Sequence, residues 1–198
     1  MRTPRVPTPA VILAGGLSRR MGGGDKALLP LYGRPLLAQV IARLAPQAAP
    51  LAINANGDPT RFASFGLPVL PDPVPGHPGP LAGILAALLW ARGLGATSVL
   101  TAPGDAPLLP LDLLQKLSDG ELPAIAASAG RPHPVVGLWP VTLENPLRDA
   151  LAQGRLRMLD FALARRARVV EFPIPEGQAD PFLNLNTPQD FAAAHDLP

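Results

Sequence analysis

Between positions 13 and 26 the sequence LAGGLSRRMGGGDK gathers five glycines, two adjacent arginines and a closing Asp-Lys pair. Gly15, Gly16, Gly22, Gly23 and Gly24 permit positive φ and close approach, so successive backbone N–H groups can turn toward one anion. The arginines and Lys26 add positive charge to that cup. A triphosphate is the anion that suits it: a lysine about 4 Å from one phosphate charge gains on the order of 4 kcal/mol at an effective dielectric near 20. An exposed ion pair seldom reaches about 1 kcal/mol. A glycine cluster alone is better read as a solvated turn, but the chain holds fifteen arginines and only two lysines, so a lysine closing this loop is not a generic surface charge. The pattern is neither the dinucleotide fingerprint nor the Walker loop.

A second group is TAPGDAPLLP at 101–110, where Asp105 follows an apolar run and sits between Gly104 and a nearby proline. A carboxylate leaving a strand's carboxyl end is placed to hold Mg²⁺ over phosphates, and by itself it is as readily a turn or cap residue. The glycine loop tips that balance toward the metal. A third group, NLNTPQDF at 184–191, puts Asn184 and Asn186 on one face ahead of a helix that Thr187 would cap; Asn-Thr-Pro is also an ordinary helix start. Asn54 and Asn56 in INANGD, and Asp72 in LPDPVPGHPGPLAG, are turn-formers when taken singly.

The elements needed to position these groups follow from the apolar pattern. Residues 10–13 read as a buried first strand feeding the glycine loop, 34–44 as a helix and 51–54 as a second strand. A short strand at 69–70, a helix over 80–92 with Pro80 in its first turn, and a strand at 97–101 continue the alternation. Beyond it come a helix at 111–117, strands at 124–127 and 135–139, helices at 142–153 and 157–166, a strand at 168–172 and a closing helix containing 190–194. Strands alternating with helices argue for an α/β fold with a mainly parallel sheet covered on both faces, whose ligands bind beyond the carboxyl ends of its strands. The proline-rich stretch 68–80 reads as a rigid active-site loop.

At 198 residues the chain suits one domain over 10–198, preceded by a loose leader at 1–9 that lacks the apolar centre of a secretory signal. No apolar run is long enough to span a membrane, and a soluble, cytoplasmic protein is expected. Absence of cysteine excludes disulfides and thiolate chemistry. A pI near 9.7 hints at nucleic acid, but the net charge is only +2 and no aromatics interleave the scattered arginines, so no nucleic-acid role is expected.

In order along the chain, LAGGLSRRMGGGDKALL, INAN, Asp72, PGPLAG at 78–83, GDAPLLP, HPVVGLW at 133–139 and NLNTPQDF resemble the molybdenum cofactor guanylyltransferase family over about 10–191. The ordered set is far more specific than any one member. The resemblance implies a three-layer, Rossmann-like nucleotidyltransferase fold, mainly parallel with one antiparallel strand near the far edge. It implies that Leu13, Ala14, Gly15 and Gly16 with Lys26 hold GTP, that Asn54 and Asp72 lie in the nucleotide pocket, and that Asp105 binds Mg²⁺. Arg20 matches the family's phosphate-facing arginine, and Asn184 and Asn186 fall beside the metal or the acceptor. The implied reaction joins GMP to molybdopterin, with molybdoenzymes or their chaperones as candidate protein partners. GRLRMLDF at 154–161 matches only loosely, so the acceptor is less well marked than the nucleotide.

A phosphate nucleophile is already ionised at neutral pH, so no histidine base is required. His77 and His133, beside prolines, read as loop or pocket-wall residues, and His195 as solvated. The rivals are a cytidylyltransferase using the same phosphate chemistry and a non-catalytic nucleotide-binding adaptor.

Overall fold

The computed structural model describes residues 7–15, 25–76, 79–155 and 157–185. Its centre is a seven-stranded sheet in the order β5-β4-β1-β6-β8-β7-β9. The strands are β1 (Ala10–Leu13), β4 (Leu51–Asn54), β5 (Val69–Leu70), β6 (Ser98–Pro103), β7 (Ala124–Ser128), β8 (Arg131–Pro140) and β9 (Arg168–Glu171). A two-stranded ribbon, β2 (Pro30–Leu31) and β3 (Arg34–Pro35), stands apart from the sheet. The helices are α1 (Leu36–Leu44), α2 (Pro80–Gly93), α3 (Leu113–Ser118), α4 (Glu144–Ala152) and α5 (Met158–Ala164).

The apolar runs are strands because both faces of each are covered, as parallel sheets require. Along β1, Ala10 and Ile12 enter one core with Leu37, Val40 and Leu44 of α1 and Leu113 and Leu117 of α3. Val11 points the other way, into a second core with Leu81, Ile84, Leu85 and Leu88 of α2, Leu147 and Leu151 of α4, and Phe161 of α5. The same alternation recurs at Leu51, Ala52 and Ile53 and at Val99 and Leu100. Three layers result. Within the described residues no helix is long and apolar enough to cross a membrane.

β1 pairs in parallel with β4 and β6, β4 with β5, and β7 with β9. Only β8 runs against its neighbours, β6 and β7. The one antiparallel strand expected near the far edge is thus β8, third from the β9 edge. It also starts earlier than its apolar run suggests. Pro132 and Pro134 argue against strand at 131–134, yet the ladder passes them because the register jumps between Ile125↔Gly137 and Ala126↔His133, bulging the chain over 134–136. The bulge leaves the Val135 carbonyl outside the ladder, and the Thr101 hydroxyl donates to it at 2.9 Å. Trp139 Nε1–H in turn donates to Thr101 Oγ1 at 2.9 Å. Gly137 is needed beneath this arrangement: a β-carbon there would sit 2.9 Å from the Trp139 indole.

Other differences from the sequence pattern are local. Arg34 and Pro35 leave the expected first helix to form the ribbon, whose two-residue turn places Tyr32 at φ 53 and Gly33 at φ 72, the left-handed pair a tight hairpin needs. β6 runs on to Pro103 because it stays paired with β1 to Leu13. A 3-10 helix, Pro59–Phe65, fills a stretch left unassigned and starts where Asp58 accepts the Thr60 N–H. Thr8 and Pro9 accept from the Ala49 and Leu100 N–H groups at 3.0 Å, which ties the chain leading into β1 to the segments on either side of it. The closing helix at 190–194 lies outside the described residues.

Trp139→Phe should cost about 2 kcal/mol, combining a small cavity with a buried Thr101 oxygen that has lost its donor. Equilibrium urea unfolding measures this; an unchanged midpoint would show that the indole N–H contributes nothing.

Candidate functional site

Three strand ends make the floor of the site. Ala14 N–H donates to the Asn54 carbonyl and Gly104 N–H to the Leu13 carbonyl, each at 2.9 Å, while Ala55 N–H donates to the Leu70 carbonyl at 3.1 Å. The turns after β1, β4 and β6 are thus pinned at their first residues. Space at 104 is tight, because a β-carbon there would lie 3.2 Å from Ala27 Cβ and 3.4 Å from Ala14 Cβ. This close approach sets the chain leaving β6 beside the end of the glycine loop.

Lys26 opens a 3-10 turn, Lys26–Leu28, that is anchored by buried Ala27. Its Nζ donates to Asp105 Oδ2 at 2.5 Å, with side-chain exposures of 13% for Lys26 and 22% for Asp105. The ammonium and the carboxylate therefore share one partly open edge of the sheet, beyond the carboxyl ends of β1 and β6. A hard oxygen donor already facing a cation suits Mg²⁺ arriving with a triphosphate, which needs only one or two protein carboxylates. Among the described residues no cluster of three or more His, Asp or Glu forms a closed metal cage.

A polar network continues along the same edge. Buried Asn54 donates through Nδ2 to the Leu70 carbonyl and to Asp72 Oδ1, both at 3.0 Å. Asn56 Nδ2 donates to Asp72 Oδ2 at 2.7 Å, and Asp72 N–H returns a bond to Asn56 Oδ1 at 2.8 Å. Arg61 donates to the Asn56 carbonyl at 2.6 Å and pairs through Nε with Asp25 Oδ2 at 2.6 Å. Asp72 is thereby fixed by two amides and tied, through Arg61, to the residue preceding Lys26. Glycine at 83 completes the fit, since a β-carbon there would lie 2.3 Å from Asn54 Oδ1.

The carboxyl-terminal segment reaches this edge as well. Leu185 N–H donates to the Asp105 carbonyl at 3.2 Å, and its buried side chain joins Leu31 and Leu36. Asn184 is consequently brought beside Asp105. A cleft of about 530 Å³, lined by Arg43, Pro110, Lys116, Pro173 and Pro175 among others, contains neither Lys26 nor Asp105. Its proline-rich wall offers less convergent polar chemistry than the strand edge, so volume does not decide the site.

A family model described as the MobA-like NTP transferase domain matches residues 10–168. The chain belongs to that family. It is 55% identical over 195 residues to the molybdenum cofactor guanylyltransferase of Rhodopseudomonas palustris strain BisB5, covering 94% of this chain and 92% of that protein. It is 50% identical over 198 residues to the protein of the same name from Bradyrhizobium sp. strain ORS 278, with 96% and 92% covered. Its fold is similar to the crystal structure of molybdopterin-guanine dinucleotide biosynthesis protein A from Archaeoglobus fulgidus, at TM-score 0.72 and 24% identity over 96% of this chain and 97% of that one.

In this MobA-like chain the structure gathers Leu13, Ala14, Gly15, Lys26, Asn54, Asp72, Asp105 and Asn184 along one sheet edge. Gly16, Arg20 and Asn186 lie outside the described residues. Sequence reasoning missed Arg61 and its pairing with Asp25, which joins positions far apart in the chain. It also read His133 as loop or pocket wall, whereas the residue sits within β8. Burial pushes the His133 imidazole below the usual histidine range, and the nearby Asp180 carboxylate opposes that shift.

Gly83→Ala should lower the melting temperature although alanine favours a helix by about 1 kcal/mol, because Asn54 is held on both sides and cannot yield. A variant that melts at or above the parent would show that Asn54 is free to move.

Proposed function

We propose that this chain transfers GMP from GTP to the terminal phosphate of molybdopterin, releasing pyrophosphate and forming molybdopterin guanine dinucleotide. The observation that carries the reading is the Lys26–Asp105 pair, 2.5 Å apart beyond the ends of β1 and β6, in a chain 55% identical to a protein of that name. Leu13, Ala14 and Gly15, with Gly16 and Arg20, present amides and positive charge to the triphosphate. Asn54 and Asp72 form the nucleotide pocket, where the Asp72 carboxylate oxygens, already accepting from Asn54 and Asn56, favour a ligand rich in donors. Asn184 and Asn186 serve the acceptor side.

The acceptor phosphate attacks the α-phosphorus in line as the bond to pyrophosphate breaks, with no covalent enzyme intermediate. Being ionised already, it needs no general base. The residues supply position and charge neutralisation, the main levers in phosphoryl chemistry. Lys26 turns from Asp105 toward the phosphate oxygens and, with Arg20, stabilises charge on the departing pyrophosphate. Asp105 would hold Mg²⁺, which when bound offsets phosphate charge. A cytoplasmic location, where GTP is available, and delivery of product to a molybdoenzyme or its chaperone complete the reading.

Pyrophosphate release with molybdopterin and GTP, CTP or ATP tests the assignment. GTP alone should support rapid turnover, since a polar pocket that pairs with one base rejects another strongly. A preference for CTP would make the chain a cytidylyltransferase, and nucleotide binding without turnover would make it an adaptor.

Asp105→Ala should remove most turnover while the protein remains folded. Lys26→Ala should lower kcat by about 10²-fold, the scale for losing one preorganised charge stabiliser. Near-parental pyrophosphate release by either folded variant would sink the role given to that residue.

A further inference from the structure

Away from the nucleotide edge, Ser128 at the end of β7 meets two titratable side chains. Its hydroxyl is 2.7 Å from His133 Nε2 and 2.9 and 2.8 Å from the two carboxylate oxygens of Asp180. Ser128 is fully buried. The three residue types are those of a hydrolase triad, but the arrangement is not: the carboxylate contacts the serine rather than the imidazole, and the serine faces no solvent.

Donor counting gives the direction of the chain of bonds. The single Ser128 proton goes to the carboxylate oxygens of Asp180. The serine oxygen then accepts, which requires a proton on His133 Nε2. That proton is present in one neutral tautomer and in the imidazolium alike, so the relay does not depend on His133 charge. Arg131 and Glu171 are the other charged groups acting on the ring.

The relay fastens one segment. Asp180 also accepts the Phe182 N–H at 2.8 Å, and its carbonyl accepts the Leu183 N–H at 3.1 Å. The Phe182 ring lies 4.9 Å from the His133 ring and 5.2 Å, edge-on, from Phe172. A few residues further on, Leu185 N–H reaches the Asp105 carbonyl. The segment carrying Asn184 is therefore held at one end by the β7–β8 hairpin and at the other by Asp105 itself.

We infer that Ser128, His133 and Asp180 form a latch that positions residues 180–185, and with them Asn184, against Asp105, so that Ser128 and His133 act as positioning residues for the acceptor side. This rests on the proposed function for its catalytic consequence, but not for the latch.

Two readouts keep these separate. Hydrogen exchange on the full chain should show the Phe182, Leu183 and Leu185 amides exchanging roughly tenfold faster in Ser128→Ala, the factor expected from one lost hydrogen bond. His133→Leu should do the same, and His133→Gln, which keeps a donor near the Nε2 position, should restore most of the protection. In turnover, these loosened variants should raise KM for molybdopterin several-fold while KM for GTP stays within about twofold. Asp180, which is only half-buried, supplies a second variant: Asp180→Ala should match Ser128→Ala should the latter fail to fold. Parental exchange at 180–185, equal loosening of peptides from β1 and α2, or identical behaviour of His133→Leu and His133→Gln would each overturn the latch. If the parent chain makes no dinucleotide, the functional reading falls, while the exchange result still judges the latch.

Discussion

The ion pair between Lys26 and Asp105 is the contact around which the site is organised, and its energetics say what it is for. Both side chains keep some access to water, so as a stabilising bridge the pair is worth about 1 kcal/mol or less. The same ammonium placed near a triphosphate gains several times that amount. Two charges held at an open edge, at small benefit to the fold, are what the proposed triphosphate site requires. Holding them there takes the rest of the structure: parallel ladders that bring the ends of β1 and β6 together, the absence of a side chain at Gly104, and the buried Ala27 that fixes the turn from which Lys26 extends.

The side proposed to take the nucleotide is built on a different principle. Asn54, Asn56 and Asp72 carry one formal charge among them, and each of their positions is set by hydrogen bonds to the others or to the backbone. A network satisfied in this way resists rearrangement, because moving any member leaves another polar group without a partner. Rigidity here lets a pocket discriminate between ligands. The Arg61 link to Asp25 joins this fixed side to the end of the glycine loop, so the two halves of the edge share one frame.

Most of the sheet was legible in the sequence, because strands covered on both faces are unbroken apolar runs. β1, β4 and β5 begin and end where those runs do. β8 was harder to read: its prolines argue against strand, and only the register jump, a property of the paired structure, admits them. Lys26 and Asp105 were visible as residue types following strands, and their meeting was a testable consequence of a parallel sheet. Asp25 with Arg61, and Ser128 with His133 and Asp180, gave no such signal. Each set is assembled by tertiary contact from segments whose local patterns are ordinary, and pairing of that kind has no period or spacing to read.

The attachment of Leu185 to Asp105 has a consequence for the order in which the protein becomes competent. Glycine loop, polar network and carboxylate all lie upstream of it, and translation delivers the 180–185 segment after every one of them. A nascent chain still held by the ribosome through that segment cannot yet make the Leu185–Asp105 bond. Closure of this edge thus waits for the 180–185 segment, and a chain lacking that segment would leave Asp105 without the backbone bond from Leu185.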